Sequence, residues 1–396
     1  MGNPTSDGAP VVGAAIHTFF SAQSWIEGAV IDQLRQVAAL AGVEQIAAFP
    51  DLHPGKYGPV GCAIAADRVY PQLIGNDIGC GMSLFMLDLP VRKIRPDKAA
   101  QRLRGLEGPW DGNADLLLEQ QGFSGDCFAE SLGTVGGGNH FCELQAIADM
   151  FDADTVNACG LDQDLALLLV HSGSRGFGMQ VFARVQAHMA GLVRDQAECV
   201  AYIDNHAAAV RWASLNREVI AIRAARALRA DLRLIADAPH NLIEQRGDMV
   251  LHRKGAAKAD MPLVPLAGSR DSLSYMLSPN LAAGTALSSL AHGSGRKYDR
   301  KSMTGRVGAT RSQREQLLRT SFGGHVVCDD RQLLIEEAPS AYKPSGQVLD
   351  DLVEFDLARP VASLRPLVTF KRALADQRDA SSRRRKNDRT HARRRP

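Results

Sequence analysis

The residue types best suited to bind metal or attack phosphorus stand in glycine-rich turns that lie far apart along this chain. Asp77 and Cys80 occur in Gly-Asn-Asp-Ile-Gly-Cys-Gly-Met, His140 in Gly-Gly-Gly-Asn-His-Phe and His171 in Val-His-Ser-Gly-Ser-Arg-Gly. His240 occurs in Ala-Pro-His-Asn and His292 in Ala-His-Gly-Ser-Gly-Arg. Glycine lets the backbone bend sharply and lets a bulky ligand come close, so residues flanked by it sit where a substrate can reach them. The close pair is Asp77 and Cys80, unlike the paired spacing of a zinc finger, so a fold must gather the rest from distant turns.

The intervening segments indicate what that fold is. A helix is predicted from near Ser24, because Ile26, Ala29, Val30, Leu34, Val37 and Leu40 recur at three- and four-residue steps and Gly42 closes the pattern. Apolar stretches at 45–49, 60–65, 83–89 and 165–170 are predicted strands. Residues 180–194 and the Ala-rich 201–228 have helical spacing. No period of 20 to 50 residues repeats, and no proline-rich or Gly/Ser linker divides 15–372. The expected fold class is α+β: one large mixed α and β domain over 15–372, a flexible lead-in at 1–14 and a disordered basic tail at 373–396. With 396 residues and 45% hydrophobic content, the chain can bury a substantial core. No apolar run approaches the ~20 residues of a bilayer span. The start lacks a secretory pattern, so a cytoplasmic protein without a membrane partner is expected. Seven widely spaced cysteines, an odd number, are expected to be free thiols.

Thiolate and imidazole donors suit Zn²⁺, Mn²⁺, Fe²⁺ or Co²⁺, and an added carboxylate tilts the set towards Mn²⁺. Arg175, Lys254 and Arg296 stand in similar turns, and cations beside a metal imply a phosphorylated substrate. Backbone N–H groups of 133–138 and 293–295 can face a phosphate. There is no Walker A sequence, so a nucleotide would not bind as in a P-loop enzyme.

Pro-Asp-Leu-His-Pro-Gly-Lys (50–56), Asp-Ile-Gly-Cys-Gly-Met (77–82), Gly-Thr-Val-Gly-Gly-Gly-Asn-His-Phe (133–141), His-Ser-Gly-Ser-Arg-Gly (171–176), Arg-Lys-Gly-Ala (253–256), His-Gly-Ser-Gly-Arg (292–296) and Pro-Ser-Ala-Tyr-Lys (339–343) follow one another in this order. In these motifs, from about residue 20 to Lys371, the chain resembles the RtcB RNA ligases. The resemblance implies a GTP- and Mn²⁺-dependent enzyme acting in tRNA splicing or RNA repair. It joins RNA 3′-phosphate or 2′,3′-cyclic phosphate ends to 5′-hydroxyl ends, as on cleaved tRNA or rRNA, through a histidine–GMP intermediate. His292 resembles the nucleophile, and Asp77, Cys80, His140, His171 and His240 resemble the ligands of two Mn²⁺ ions, with Cys80 bridging. The implied guanylate contacts are Asn139, His140, Phe141, Cys142 and Glu143, then His240 and Asn241. They continue with Ala267, Gly268, Ser269, Arg270 and Ser274, with His292, Gly293, Ser294 and Gly295, and with Lys371 on the base. Arg175, Lys254 and Arg296 are implied contacts of RNA or triphosphate.

The chain departs from the family where the nucleotide loop Pro-Gly-Ser-Met-Gly-Thr-Arg-Ser-Tyr reads Ala-Gly-Ser-Arg-Asp-Ser-Leu-Ser-Tyr (267–275), which bears on nucleotide affinity and choice. His-His-Asn has become Pro239-His240-Asn241, His-Gly-Ala-Gly-Arg has become His-Gly-Ser-Gly-Arg, and a basic extension follows Lys371. These changes fit a divergent branch devoted to RNA repair. Two other readings are a metal-dependent RNA cyclic phosphodiesterase that no longer ligates, motivated by the altered loop, and a non-catalytic RNA-binding protein. The second has no need of five metal-type ligands and the His292 turn.

Residues 373–396 carry nine cationic side chains against three carboxylates, a net +6 that leaves −4 on 1–372. Such a tail suits RNA binding by displacing counterions, an effect indifferent to sequence and weakened by salt. Truncation after Arg372 is expected to leave reaction with GTP unchanged and to weaken RNA binding. The slope of log affinity against log salt should fall by about 0.7 for each RNA phosphate that the tail no longer neutralises. An unchanged slope in a salt titration would show that the tail is only a solvated end.

Overall fold

A computed structural model of the chain describes residues 13–280 and 284–373. The expected lead-in and tail, apart from residues 13, 14 and 373, lie outside the described residues. The architecture is mixed α and β, as the sequence pattern requires. The larger sheet runs Val264–Leu266, Ser274–Pro279, Ala358–Arg372, Phe141–Met150, Leu165–Ser172, Gly81–Pro90, Leu232–Pro239, and His325–Cys328 pairs in parallel with Ala358–Arg372. A smaller sheet runs Ala15–Thr18, Val43–His53, Val60–Ala66, Met249–Lys254, Asn241–Arg246, and Ala256–Lys258 pairs with Ser289–Ala291.

Leu165–Ser172 reads Leu-Ala-Leu-Leu-Leu-Val-His-Ser, without polar alternation, because both of its faces are covered. Leu168 and Val170 meet the helix Ala197–Leu228 through Ile220, Ala221 and Ala224. Leu167 and Leu169 face Met276 and Leu364 on the other side. Alanines at 221, 224 and 225 let this helix lie close against the strands, and Trp212, fully buried, donates its indole N–H to the Cys127 carbonyl at 3.0 Å. No helix among the described residues is long and apolar enough to cross a membrane.

The predicted strands fall within observed ones, and the differences have local causes. The first helix, Gly28–Ala38, starts beyond Ser24 because the Asp351 carboxylate holds the preceding turn, accepting from the Ser21 N–H at 3.1 Å and from the Ser24 hydroxyl. The expected helix at 180–194 is instead Arg175–Ala183, since Leu192 leaves to pair with Val69. The C-terminal strand escapes its own sequence pattern because it contains Pro360 and Pro366. The ladder tolerates Pro366 at a register shift between Pro366 and Val368.

Leu168 fills space between sheet and helix with no exposure. Leu168→Ala is expected to lower unfolding free energy by about 2–5 kcal/mol, read as a lower urea midpoint at unchanged slope.

Candidate active site

Antiparallel register places the dispersed ligands at one end of the larger sheet. His171 pairs with Phe141 and with Met82, and Met82 pairs with Ala238. His140 and Cys80 therefore precede their strands, and His171 and His240 follow or close theirs, at the same edge. Cys80 Sγ lies 3.1 Å from His171 Nε2 and 3.3 Å from His140 Nε2. His171 Nε2 lies 3.3 Å from His240 Nε2, and His140 Nε2 lies 3.2 Å from Asp77 Oδ2. Two groups of donor atoms result, Cys80/His171/His240 and Asp77/Cys80/His140, each within 4.8 Å and sharing Cys80. Gly79 makes the turn possible: its φ is +71°, and a Cβ there would meet Val210 Cα of the long helix at 2.8 Å.

The donor set fits a cation. Burial first, and neighbouring imidazoles second, hold His171 and His240 well below the ordinary histidine range, so both are neutral with lone pairs to offer. Buried His240 Nδ1 has no hydrogen-bond partner among the described residues. Burial, reinforced by Asp77, pushes the Cys80 thiol up, so its thiolate needs a positive partner.

Beneath this cluster Arg217, fully buried on the long helix, ties three of its supports together. Its Nη1 donates to the Gly79 carbonyl at 2.8 Å and to the Ser172 carbonyl at 3.0 Å, next to Cys80 and His171. Nε and Nη2 donate to Asp237 Oδ1 at 2.9 and 2.7 Å, on the strand leading to His240.

His292 follows the short strand Ser289–Ala291. Its Nδ1 lies 2.6 Å from Asp51 Oδ2 and 2.7 Å from the Gly255 carbonyl. A carbonyl only accepts, so Nδ1 carries the proton and Nε2 keeps its lone pair. The His292 and His240 ring centroids are 4.5 Å apart. Lys343 Nζ brackets Asp51 by donating to the Pro50 and Leu52 carbonyls at 2.8 and 2.7 Å, and burial brings its pKa down to about 8. Gly295 packs so tightly here that a Cβ would meet the Asp51 carbonyl oxygen at 2.1 Å.

A cavity of about 390 Å³ opens over both centres. It is lined by Asp77, Cys80, Asn139, Phe141, Glu143, His171, His240, Asn241, Lys254, Ala267–Arg270, His292–Arg296 and Lys371 among the expected residues. His140, Cys142, Ser274 and Arg175 do not line it. Alternation along Phe141–Met150 turns Phe141 and Glu143 to the cavity and sends the Cys142 side chain into the apolar core, so of the expected run 141–143 only its side chain faces away. Ser274 sits behind the nucleotide loop, where its Oγ accepts from the Gly268 N–H at 3.0 Å. His140 lies under the wall, with Arg175 Nη1 3.4 Å from its Nδ1. Asn241 links two turns, accepting from the Gly255 N–H at 2.8 Å and donating to the Asp77 carbonyl at 3.2 Å. Arg296, expected to meet phosphate, lines the cavity but donates to the Tyr298 and Glu336 carbonyls, the Tyr342 hydroxyl and Glu337.

Glu337, Tyr342, Arg300 and Thr369, which sequence reasoning passed over, complete the cavity beside the expected Glu143, Arg270 and Lys371. Buried Glu337 receives Arg296 at 3.1 Å, Arg300 at 3.2 Å, Lys371 at 3.7 Å and the Tyr342 hydroxyl. Burial alone would raise its pKa, but Lys371 and Arg296 bring it down to about 2. Burial dominates at Glu143, pushed up to about 7 despite hydrogen bonds from Thr369 and Gln145. Buried Arg270 donates Nη2 to the Leu334 carbonyl at 2.9 Å, and its Nη1 has no hydrogen-bond partner among the described residues. Asp51 and Tyr342 lie inside two of the seven motifs, so their signal was present. Arg217 and Glu337 carry no comparable mark.

Residues 33–107 and 124–372 match the family described as tRNA-splicing ligase RtcB. The chain belongs to this family. It is 41% identical over 367 residues to a protein of Escherichia coli strain ATCC 25922 named RNA-splicing ligase RtcB2, covering 90% of this chain and 96% of that one. It is 27% identical over 450 residues to a tRNA-splicing ligase RtcB of Archaeoglobus fulgidus, covering 87% and 92%. A Mycobacterium tuberculosis RNA-splicing ligase RtcB is 27% identical over 438 residues, covering 86% and 100%.

Arg217→Met leaves the half-buried Asp237 without its cationic partner and is expected to cost about 1–3 kcal/mol of stability and to weaken metal-ion binding at the Cys80 cluster. Adding Asp237→Leu should restore the melting temperature but not the metal-ion affinity, measured by calorimetric titration. Full recovery of both would reduce Arg217 to a packing role.

Proposed function

We propose that the chain is a GTP- and Mn²⁺-dependent RNA ligase acting on 3′-phosphate or 2′,3′-cyclic phosphate ends and 5′-hydroxyl ends, in tRNA splicing or RNA repair, with 15–372 as its catalytic domain. The observation that carries it is the state of His292: Nδ1 is engaged by Asp51 and Gly255, and the ring stands against the ligand His240. Nε2 attacks the α-phosphorus of GTP, a phosphorus–nitrogen bond forms and pyrophosphate leaves. Asp51 stabilises the charge that appears on the imidazole. A 3′-phosphate oxygen of RNA then takes the guanylate from His292, and a 5′-hydroxyl displaces GMP to close the phosphodiester. Asp77, Cys80, His140, His171 and His240 would hold two Mn²⁺ ions, which neutralise phosphate charge and align attacking and leaving oxygens when bound.

The other expected contacts are assigned on chemistry. Lys371 and Glu143 would meet the base, and Asn139, Phe141 and the turns 267–270 and 292–295 would enclose the guanylate. Lys254 and Arg175 would meet phosphate. Arg300, about half exposed and lining the mouth, joins them in place of Arg296.

Incubation with Mn²⁺ and α-labelled GTP is expected to leave acid-labile label on the protein. His292→Ala should abolish the label while metal content stays near normal, and Cys80→Ser should lose metal and every step. Asp51→Asn should lower labelling by about 100-fold or more, because an amide no longer fixes the tautomer. Opening of cyclic phosphate without any label would favour the phosphodiesterase reading instead.

A further inference from the structure

We infer that the surface leaving the nucleophile turn, residues 296–306 together with Trp25, seats a single-stranded RNA end, with an unpaired base on the aromatic pair and its phosphates on the adjacent cations. This rests on the RNA reading above. The segment Arg-Lys-Tyr-Asp-Arg-Lys-Ser-Met-Thr-Gly-Arg carries five cations and one carboxylate, on a body whose net charge is −4; Arg296 is taken up within the protein, so Lys297, Arg300, Lys301 and Arg306 are the cations offered to phosphate. It is continuous with the cavity, since Arg296 and Arg300 line it and Arg296 Nε donates to the Tyr298 carbonyl at 2.9 Å.

Aromatic and cationic groups interleave on it. Trp25 meets Tyr298 at 6.2 Å between centroids and 60° between planes. The Arg306 guanidinium stands 4.2 Å over the Tyr298 ring, and Lys297 Nζ 5.5 Å from its centroid. Trp25 is 37% exposed, and Lys301 and Arg306 are exposed too. An indole left this open gains little from folding, yet its turn is pinned through Ser21 and Ser24 to buried Asp351. A fixed, open aromatic beside cations is what base stacking along a phosphate backbone uses, and a paired base offers no free face to it.

The test uses an unstructured RNA of about twelve nucleotides with a 3′-phosphate, single-stranded or annealed into a blunt duplex. Trp25→Ala is expected to weaken single-strand binding roughly tenfold and to narrow its advantage over the duplex, whereas Trp25→Phe retains most of the affinity. RNA should quench tryptophan fluorescence in the wild type, with the change lost in Trp25→Phe. Lys301→Glu combined with Arg306→Glu should flatten the salt dependence. Guanylylation by GTP alone should be unchanged in each of these variants, which shows that they are folded. If guanylylation is intact and RNA affinity does not move in Trp25→Ala or the charge variant, this surface is not the RNA seat and the ligase reading stands. If the wild type binds no RNA, both fall.

Discussion

A guanidinium cut off from water survives only where every donor is met, and Arg217 meets that condition with groups belonging to the ligand-bearing strands. Its partners are the carbonyls beside Cys80 and His171 and the carboxylate of Asp237. Asp237 is held below the usual carboxylate range because, although burial acts against it, Arg217, Ser83 and Ser214 favour its charged form. A pair of this kind adds little net stability over an apolar substitute, but it permits only one arrangement of the strand ends. The separations among Cys80, His171 and His240 depend on that arrangement more than on the turns themselves.

The cavity above shows a second charge arrangement. Glu337 gathers Arg296, Arg300 and Lys371 into one buried group and is itself neutralised by them. Three cations against one carboxylate leave an excess that suits a polyanion, while each cation keeps a fixed direction. Arg270 belongs to the same neighbourhood, and burial lowers its pKa, as Cys328 and Glu337 act to raise it. In the loop 267–275 it adds a donor that lines the cavity.

The four strands read from the sequence lie in the structure because short apolar runs between turns, leucine-rich at 83–89 and 165–170, leave few alternatives. The metal-type residues were legible for a related reason: Asp77, Cys80, His140 and His171 stand beside glycines that serve close packing, as at Gly79, while His240 follows a proline. What escaped was set by pairing partners and not by local pattern. Ala358–Arg372 is a strand because Phe141–Met150 lies beside it, and two prolines hide that fact from periodicity. The direction of the Cys142 side chain, into the core, was not legible because it depends on strand phase. Arg217 sits in a helical stretch like any arginine, and only the tertiary structure shows that its face is interior.

Charge distribution separates holding the substrate from transforming it. Residues 1–372 sum to −4, so the catalytic body as a whole does not attract RNA over long range. Beyond a Debye length of about 8 Å at physiological salt, that mild repulsion is screened and local groups decide. The eleven residues after Gly295 reverse the sign where the cavity opens, with five cations against Asp299. They leave the His292 turn directly, so these cations and His292 share one short segment, anchored at Asp51 on one side and at Glu337 on the other.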